Sequence, residues 1–281
     1  MEIFKTKAAL KAFLKPLKES GKKIALVPTM GALHHGHISL IKLAQQNADI
    51  IICSIFVNPT QFTDPKDLEK YPRPIEHDLA MLEAAGCSGV LMPNVEEMYP
   101  SDEQENWSID LGKAEFLLEG EFRKGHYQGV TQIVKKLFDA VEPDIAMFGQ
   151  KDFQQVLMIK NMVKYFNLPI QIITCPIIRE DDGLAMSSRN IHLSADDRQH
   201  SLVLNESLYF VVKHFEEYSL DELEAKAKTF YQDIKGVELD YFTIANGNTL
   251  APATSKDEDS LVALVAAKVG STRLIDNMII K

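Results

Sequence analysis

Apolar residues along the chain alternate between short continuous runs and stretches with helical spacing. The continuous runs have the length of strands that are buried on both faces of a parallel sheet. They are 24–27, 50–57, 89–93, 144–149 and 170–175. Between the runs, apolar residues recur three and four positions apart, which is the spacing of one helical face. Strands and helices in this order predict a doubly wound α/β domain over residues 1–176.

The pattern changes after Pro176. A polar loop at 179–190 is followed by Ser194 and Asp197, whose spacing predicts a capping box for one helix reaching about Tyr218. Another helix is expected from Leu220 toward Ile234. Short apolar segments then predict strands at 241–245, 261–269 and 272–280. We therefore expect a smaller α+β domain over residues 177–281, with the 186–189 segment at the hinge.

The stretch 28–41 reads as the end of a strand, a turn and the start of a helix. Its His34, Gly36 and His37 fall where the helix is expected to begin. A helix start presents free backbone N–H groups and the positive end of the helix dipole, and glycine allows close approach of a ligand. Two imidazoles one turn apart can donate hydrogen bonds to the same anion. The stretch therefore predicts a phosphate site.

A zinc site is the main alternative for two histidines that are three residues apart. No glutamate lies beside them in a His-Glu-x-x-His arrangement, and Cys53, Cys87 and Cys175 are widely spaced. Both the P-loop and the dinucleotide glycine motifs are also absent from the sequence. The pattern therefore favours nucleotide phosphates over a metal.

Two further polar segments are candidates for the same chemistry. Lys151 directly follows a buried strand and a glycine, so it is better placed to meet phosphate than an average surface lysine. Ser187, Ser188 and Arg189 place two hydroxyls and a guanidinium in a row. The alternatives are a solvated lysine and a plain linker.

Composition narrows the class of protein. The chain has 281 residues, a hydrophobic fraction of 46% and a formal net charge of -10, without a basic block. This charge disfavours nucleic-acid partners. Three dispersed cysteines suit a reducing cytosol. The N-terminus opens directly into an amphipathic helix pattern, with Thr6 as its expected N-cap, and contains no signal-peptide core. The longest apolar run, 50–57, is too short to cross a membrane. We expect a cytoplasmic protein without nucleic-acid or membrane partners.

Several motifs together resemble the pantoate–β-alanine ligase family of the nucleotidyltransferase superfamily. They are Pro-Thr-Met-Gly-Ala-Leu-His-x-Gly-His from 28, Asn-Pro-Thr-Gln-Phe from 58, Tyr-Pro-Arg from 71, Phe-Gly-Gln-Lys-Asp from 148 and Asp-Gly-Leu-Ala-Met-Ser-Ser-Arg-Asn from 182. The resemblance implies a Rossmann-like fold and a homodimer. It also implies ATP, pantoate and β-alanine as substrates, with Mg²⁺ accompanying the nucleotide.

The resemblance also implies roles for individual residues. The residues expected to bind ATP are Met30, Gly31, Ala32, Leu33, His34, His35, Gly36, His37, Gly149, Gln150, Lys151, Asp152, Ile178, Met186, Ser187, Ser188 and Arg189. Of these, His34, His37, Lys151, Ser187, Ser188 and Arg189 are the catalytic candidates. Gln61, Gln155, Asn58 and Arg123 are expected to hold substrate, Asp78 to contact Mg²⁺, and Tyr71 to lie nearby. Lys124 departs from the proline expected beside Arg123 in many relatives.

The implied chemistry suits these residue types. A carboxylate becomes reactive toward an amine only after its oxygen is converted to a leaving group, as in an acyl adenylate. Donors around the triphosphate would stabilise the charge that builds up in that step, and the charge state of His37 stays open. Two other classes are an adenylyltransferase acting on a phosphorylated acceptor and a non-catalytic nucleotide-binding protein. The neutral amides of Gln61 and Gln155 disfavour the first, and the intact histidines, Lys151 and Ser-Ser-Arg loop disfavour the second.

Overall fold

The computed structural model describes residues 1–63, 65–102 and 106–281. They divide into two compact units, Met1–Gly149 with Gln155–Pro176, and Gln150–Gln154 with Ile177–Lys281. The sequence pattern places the 150–154 segment in the first domain, whereas the structure groups it with the second.

The first unit contains a six-stranded sheet in which every described pairing is parallel. The strands are β1 (Glu2–Phe4), β2 (Ile24–Thr29), β3 (Ile50–Ile55), β4 (Gly89–Leu91), β5 (Ile145–Gly149) and β6 (Gln171–Cys175). Their order across the sheet is β1-β4-β3-β2-β5-β6. The predicted parallel α/β fold is therefore confirmed.

Helices connect these strands. They are α1 (Lys7–Glu19), α2 (His35–Gln45), α3 (Pro65–Lys70), α4 (Ile75–Ala84), α5 (Val95–Met98), α6 (Glu119–Phe122), α7 (His126–Val141) and α8 (Phe153–Tyr165). Thr6 caps α1 as predicted, because its side chain accepts the N–H of Ala9. Short 3₁₀ turns lie at Pro59–Gln61, Lys113–Phe116, Gln150–Asp152 and Ser188–His192.

The strand order reverses next to β2. From β2 the chain continues to β3 and β4 on one side, and later to β5 and β6 on the other. In open parallel sheets, ligands bind beyond the carboxyl ends of the strands at such a switch point. The histidine motif follows β2, so the fold places it at the position where a ligand is expected.

The core of the first unit lies between this sheet and its helices. It includes the fully buried Ala25, Val27, Ile41 and Leu82. All three cysteines are buried, and burial raises the pKa of the Cys87 and Cys175 thiols to about 11. These thiols therefore belong to the hydrophobic core and not to a reactive site.

The second unit is built on an antiparallel sheet. Its strands are β7 (Val237–Asn246), β8 (Leu261–Val269) and β9 (Thr272–Ile279), in the order β7-β8-β9. Its helices are α9 (Ala195–His200), α10 (Val203–Lys213) and α11 (Leu220–Thr229). Leu208, Val211 and Leu223 pack on the sheet and are fully buried. The expected smaller α+β fold is confirmed.

Two sequence predictions were wrong in detail. The chain opens with strand β1, which pairs with β4, and not directly with a helix; three residues are too few to show a period. The single helix expected from Ser194 to Tyr218 is interrupted at Ser201, which is fully buried. The Ser201 hydroxyl donates to the Arg198 carbonyl at 2.7 Å, a local bond that competes with regular helical bonding.

Within the described residues, no helix combines the length and the apolar character needed to cross a membrane.

Gly129 provides a test of how closely α7 packs on the 59–61 turn. A Cβ at Gly129 would lie 2.7 Å from the Thr60 carbonyl carbon and 2.9 Å from Gln61 Cα. We expect Gly129→Ala to lower the free energy of unfolding by about 1–3 kcal/mol, because backbone must shift to make room. Gly149→Ala is the control, since no described atom lies within 4 Å of a Cβ there. Urea unfolding that gave equal stability for both variants would contradict this packing.

Candidate active site

The turn after β2 is held by a buried carboxylate. Gly31 and Ala32 adopt positive φ angles of 82° and 50°, which turns their backbone away from the strand direction. Asp78 on α4 is fully buried, and its two oxygens accept the N–H groups of Ala32 at 2.9 Å and Leu33 at 2.7 Å. A Cβ at residue 31 would lie 2.9 Å from Asp78 Oδ2, so glycine is needed there both for its φ and for space.

These contacts revise the prediction that Asp78 contacts Mg²⁺. Both of its oxygens are already bonded to backbone, and the side chain is sealed from solvent. No group of three or more His, Cys, Asp or Glu among the described residues could hold a metal ion. The role of Asp78 is therefore to hold the turn that leads into α2.

His34 and His37 cap the start of α2 reciprocally. His34 is the N-cap, and its Nδ1 accepts the N–H of Gly36 at 3.1 Å. His37, one turn later, returns its own Nδ1 to the N–H of His34 at 3.3 Å. The arrangement has the geometry of a capping box, with imidazoles in place of the usual hydroxyl and carboxylate.

The reciprocal cap decides which ring nitrogen accepts a hydrogen bond and which one carries the proton. A nitrogen that accepts a backbone N–H carries no proton, so these contacts assign the proton to Nε2 in both rings. The ring centroids are 4.1 Å apart. In this arrangement, Nε2 is the ring nitrogen from which His34 and His37 can each donate a hydrogen bond.

Backbone N–H groups at this helix start already have hydrogen-bond acceptors within the chain, contrary to the prediction. The N–H of Gly36 is bonded to the His34 ring, and those of His37 and Ile38 are bonded to the His34 carbonyl at 2.8 and 3.2 Å. The helix begins at His35, before the apolar spacing that starts at Ile38, so these donors lie inside its first turn. The prediction that these backbone N–H groups are free was wrong, and the imidazole rings are the polar side chains at this helix start.

Gln61 is oriented by a chain of polar contacts. The Tyr99 hydroxyl donates to Asn58 Oδ1 at 2.8 Å, and Asn58 Nδ2 donates to Gln61 Oε1 at 3.3 Å. Gln61 Nε2 is thereby turned toward Met30, whose sulfur lies 2.8 Å away. Since Gln61 Oε1 accepts from Asn58 and one Nε2 hydrogen is donated to the Met30 sulfur, the amide retains the second N–H of Nε2 as a donor.

A second chain of contacts connects Arg123 to the backbone of the 59–61 turn. His126 is buried, and its Nδ1 lies 2.7 Å from the Gln61 carbonyl, so Nδ1 is the donor. Its Nε2 is then unprotonated and accepts from Arg123 NH1 at 3.0 Å. His126 and Tyr99 both belong to the site without having been predicted. The spacing of three residues from Arg123 was a signal for His126, whereas the sequence around Tyr99 contains no such signal.

The remaining predicted residues of the first unit are less closely connected. His35 is exposed on the first turn of α2, and Gln155 is half-buried on α8. Tyr71 is buried, with its ring edge-on to Phe62 at 5.8 Å. Gly149 is the last residue of β5.

In the second unit, Lys151 lies in the short 3₁₀ turn Gln150–Asp152 and is half-buried. Ile178 and Met186 close a tight hairpin, and the segment 187–189 follows it. The Ile178 carbonyl accepts the N–H of Met186 at 3.0 Å, and Arg179 forms an antiparallel β-bridge with Ala185. Ser187 then caps the turn Ser188–His192 by accepting the N–H of Arg189 at 3.3 Å. Ser187, Ser188 and Arg189 are thus part of an ordered turn and are half-buried.

Comparison with known proteins gives one consistent result. The family model for pantoate-beta-alanine ligase matches residues 2–279. A pantothenate synthetase of Acetivibrio thermocellus is 46% identical over the full length of both chains. One of Bacteroides thetaiotaomicron is 44% identical over 99% of this chain and 98% of its own length.

Solved structures agree with these matches. The crystal structure of a pantothenate synthetase from Thermus thermophilus has a TM-score of 0.94 and 35% identity, covering 100% of this chain and 99% of that one. A pantoate-beta-alanine ligase from Francisella tularensis, complexed with beta-gamma ATP and beta-alanine, has a TM-score of 0.81 and 33% identity. It covers 99% of this chain and 97% of its own.

The role of Asp78 can be tested by stability. We expect Asp78→Asn to lower the free energy of unfolding by about 1–3 kcal/mol, because the new NH₂ group faces a backbone N–H and leaves a buried donor unpaired. Glu76→Gln, at an exposed position of the same helix, is the control. Chemical denaturation without divalent metal separates a structural role of Asp78 from metal binding. If the carboxylate served only as a metal ligand, its substitution would not lower the free energy of unfolding under that condition.

Proposed function

The chain belongs to the pantoate-beta-alanine ligase family, and from that premise we propose that it condenses (R)-pantoate with β-alanine to form pantothenate. ATP is consumed, and AMP and pyrophosphate are released. The observation that supports this reaction most directly is the reciprocal His34–His37 cap, which provides two Nε2–H donors beyond the carboxyl end of β2.

In the proposed first step, a carboxylate oxygen of pantoate attacks the α-phosphorus of ATP. The bond from that phosphorus to the bridging oxygen breaks, and pyrophosphate leaves with the electron pair. The carboxylate is already ionised at neutral pH, so no base is required. Because both reactants are anions, the enzyme must position them together and stabilise the added charge in the transition state.

The histidine pair suits this task because each ring has a defined donor. Each Nδ1 is occupied by a backbone N–H, so each Nε2–H is directed without reorganisation during the reaction. Preorganised donors of this kind stabilise developing charge more effectively than mobile ones. We propose that His34 and His37 bind the phosphates of ATP, with Met30, the 31–36 segment and Gly149 contributing to the nucleotide site.

In the second unit, Lys151, Ser187, Ser188 and Arg189 are the proposed phosphate donors. Gln150, Asp152, Ile178 and Met186 complete the proposed nucleotide contacts. The net charge of -10 means that a positive environment for ATP must be created locally, which lysine and arginine side chains do.

Pantoate is assigned to the amides of Gln61 and Gln155, with Asn58 and Arg123 beside the substrate. The NH₂ group that Gln61 presents is suited to a carboxylate or hydroxyl oxygen and adds no repulsive negative charge. The carbonyl oxygen of a wrongly oriented amide would instead face the substrate anion.

In the proposed second step, the amine nitrogen of β-alanine attacks the carbonyl carbon of the pantoyl adenylate. The bond from that carbon to the phosphate oxygen breaks, and AMP leaves. The amine must lose a proton, and the adenylate phosphate is the acceptor that we propose. The intermediate also has to be protected from water, a role that we assign to the second unit.

Mg²⁺, the homodimer and a cytoplasmic location remain expectations from the family resemblance and the composition. The described residues do not provide a metal cluster, so we assign no protein ligand to Mg²⁺ and no step depends on it. Mg²⁺ in phosphoryl-transfer sites is commonly held largely by substrate phosphates and water.

The first test is exchange of radiolabelled pyrophosphate into ATP without β-alanine. We expect exchange that depends on pantoate, because only a reversible adenylation step returns label to ATP. Exchange that required a phosphorylated acceptor would favour an adenylyltransferase of the same superfamily. If ATP bound but no exchange occurred with pantoate, whether β-alanine was omitted or added, the chain would be a non-catalytic nucleotide-binding protein.

A pair of substitutions at His37 separates the two ring nitrogens. Asn places an acceptor near the Nδ1 position and keeps the cap, whereas Gln places a donor near Nε2 and loses the cap. We expect His37→Asn to retain stability and to lose about 3–4 kcal/mol of transition-state stabilisation, the effect of removing one such donor. His37→Gln should keep more activity but lose about 1 kcal/mol of stability. Pyrophosphate exchange and urea unfolding measure the two effects; the reverse ranking would exclude the proposed Nε2 donor.

Tyr99→Phe tests the orientation of Gln61. Without the Tyr99 hydroxyl, Asn58 Oδ1 loses its shorter partner and keeps the Thr60 hydroxyl at 3.3 Å. The Asn58 amide, which contacts Gln61 Oε1, is then held less firmly. We expect the KM for pantoate to rise about fivefold to tenfold, corresponding to about 1 kcal/mol for one hydrogen bond. The KM for ATP should not change. Tyr165→Phe, at a half-exposed tyrosine of the same unit, is the matched control; equal pantoate KM values for the two variants would refute the orienting role.

A further inference from the structure

Strand β9 carries two adjacent buried polar residues, Asp276 and Asn277. Their exposed fractions are 3% and 1%. Polar groups in such positions are costly unless they are fully hydrogen-bonded. Their partners therefore indicate what they stabilise, and both sets of partners lie in segments that carry predicted nucleotide-binding residues.

Asn277 holds the turn that carries Lys151. Its Nδ2 donates to the Gln150 carbonyl at 3.0 Å and to the Lys151 carbonyl at 2.9 Å. Its Oδ1 accepts from Gln150 Nε2 at 3.1 Å. Both Nδ2 hydrogens are thus directed to two consecutive peptide groups of the 3₁₀ turn, which fixes the backbone from which the Lys151 side chain extends.

Asp276 holds the hairpin that leads into the Ser-Ser-Arg segment. The Arg179 guanidinium bonds to Asp276 with two nitrogens, NH1 to Oδ2 at 2.6 Å and NH2 to Oδ1 at 3.0 Å. Arg179 NH1 also donates to the Gly183 carbonyl at 3.0 Å, across the turn of the 178–186 hairpin. A two-bond arginine–carboxylate pair fixes direction as well as distance.

The two anchors are also joined to each other. The Asn277 N–H donates to Asp276 Oδ1 at 2.8 Å, and the Asn277 carbonyl lies 3.4 Å from Arg179 NH2. Burial raises the pKa of Asp276, while the Arg179 pairing and the charge of Lys151 favour its ionised form. One short piece of strand therefore connects two segments that are 126 and 97 residues away in sequence.

We propose that Asp276 and Asn277 are positioning residues for ATP, acting through the Lys151 turn and the 178–186 hairpin; the proposal rests on the proposed function of those two segments. Neither residue needs to contact the nucleotide. A lysine donor contributes most when its backbone is fixed before the ligand arrives, because little ordering remains to oppose binding.

The first experiment measures ATP binding to Asn277→Ala by calorimetry and turnover by pyrophosphate exchange. Loss of the two hydrogen bonds to the backbone of the Lys151 turn, together with the bond from Gln150 Nε2, should weaken ATP binding about tenfold to thirtyfold. The KM for pantoate should stay within twofold. Asn277→Thr retains one hydroxyl donor in a residue type suited to strands, so its ATP affinity should lie between those of wild type and Asn277→Ala.

A double-mutant cycle with Lys151→Ala distinguishes positioning from a general structural effect. If Asn277 acts through Lys151, adding Asn277→Ala to Lys151→Ala should change ATP affinity less than twofold. A purely structural residue would weaken binding by the same factor in both backgrounds. Additive effects would therefore overturn the proposal for Asn277.

Tyr231→Phe is the control for stability. It removes a buried hydrogen bond of the same unit, between Tyr231 and Ser207 at 2.7 Å, and should leave ATP affinity unchanged. If Asn277→Ala does not fold, the Asn277→Thr and Arg179→Lys variants carry the test. Lysine keeps the charge but lacks the two-nitrogen fork, so Arg179→Lys should weaken ATP binding; unchanged affinity in both variants would overturn the proposal. Failure of the wild-type protein to bind ATP would instead refute the proposed function.

Discussion

The buried carboxylate of Asp78 is the interaction on which the predicted nucleotide site of the first unit depends. It accepts two backbone N–H groups from the turn after β2, where successive positive φ angles direct these donors inward. Such a turn would otherwise form a small anion-binding nest. Because an internal anion occupies it, the turn enters α2 in a fixed direction, and a ligand phosphate has to be bound by other groups.

Those other groups are side chains in which one polar atom already accepts an internal hydrogen bond. Each histidine of the cap accepts a backbone N–H at Nδ1, and Gln61 accepts the Asn58 amide at Oε1. In each case an internal bond occupies one polar atom and thereby disfavours the alternative tautomer or amide orientation. A local hydrogen bond of modest net energy can thus define the chemistry that a side chain presents.

The second unit uses a similar arrangement with different residues. Asn277 bonds to two carbonyls of the turn that contains Lys151, and Asp276 fixes Arg179 at the base of a hairpin. Buried polar residues on a strand would reduce stability if they had no partners. Here their partners lie in segments with the residues that we assign to the nucleotide. We therefore infer that these buried polar groups position those segments, in addition to having their own hydrogen bonds satisfied.

The sequence by itself determined the elements that depend on neighbouring residues. The apolar runs identified β2 through β6, the Thr6 cap located α1, and the spacing of His34 and His37 placed both imidazoles on one helix start. Tertiary structure decided what depends on distant residues: the pairing of β1 with β4, the role of Asp78, the orientation of Gln61 by Tyr99, and the contacts of Asn277. The partners in these contacts are separated by 41 to 127 positions. The physical reason is that periodicity records the burial of a face within one element, whereas a hydrogen bond between elements depends on how the folded chain brings its two atoms together.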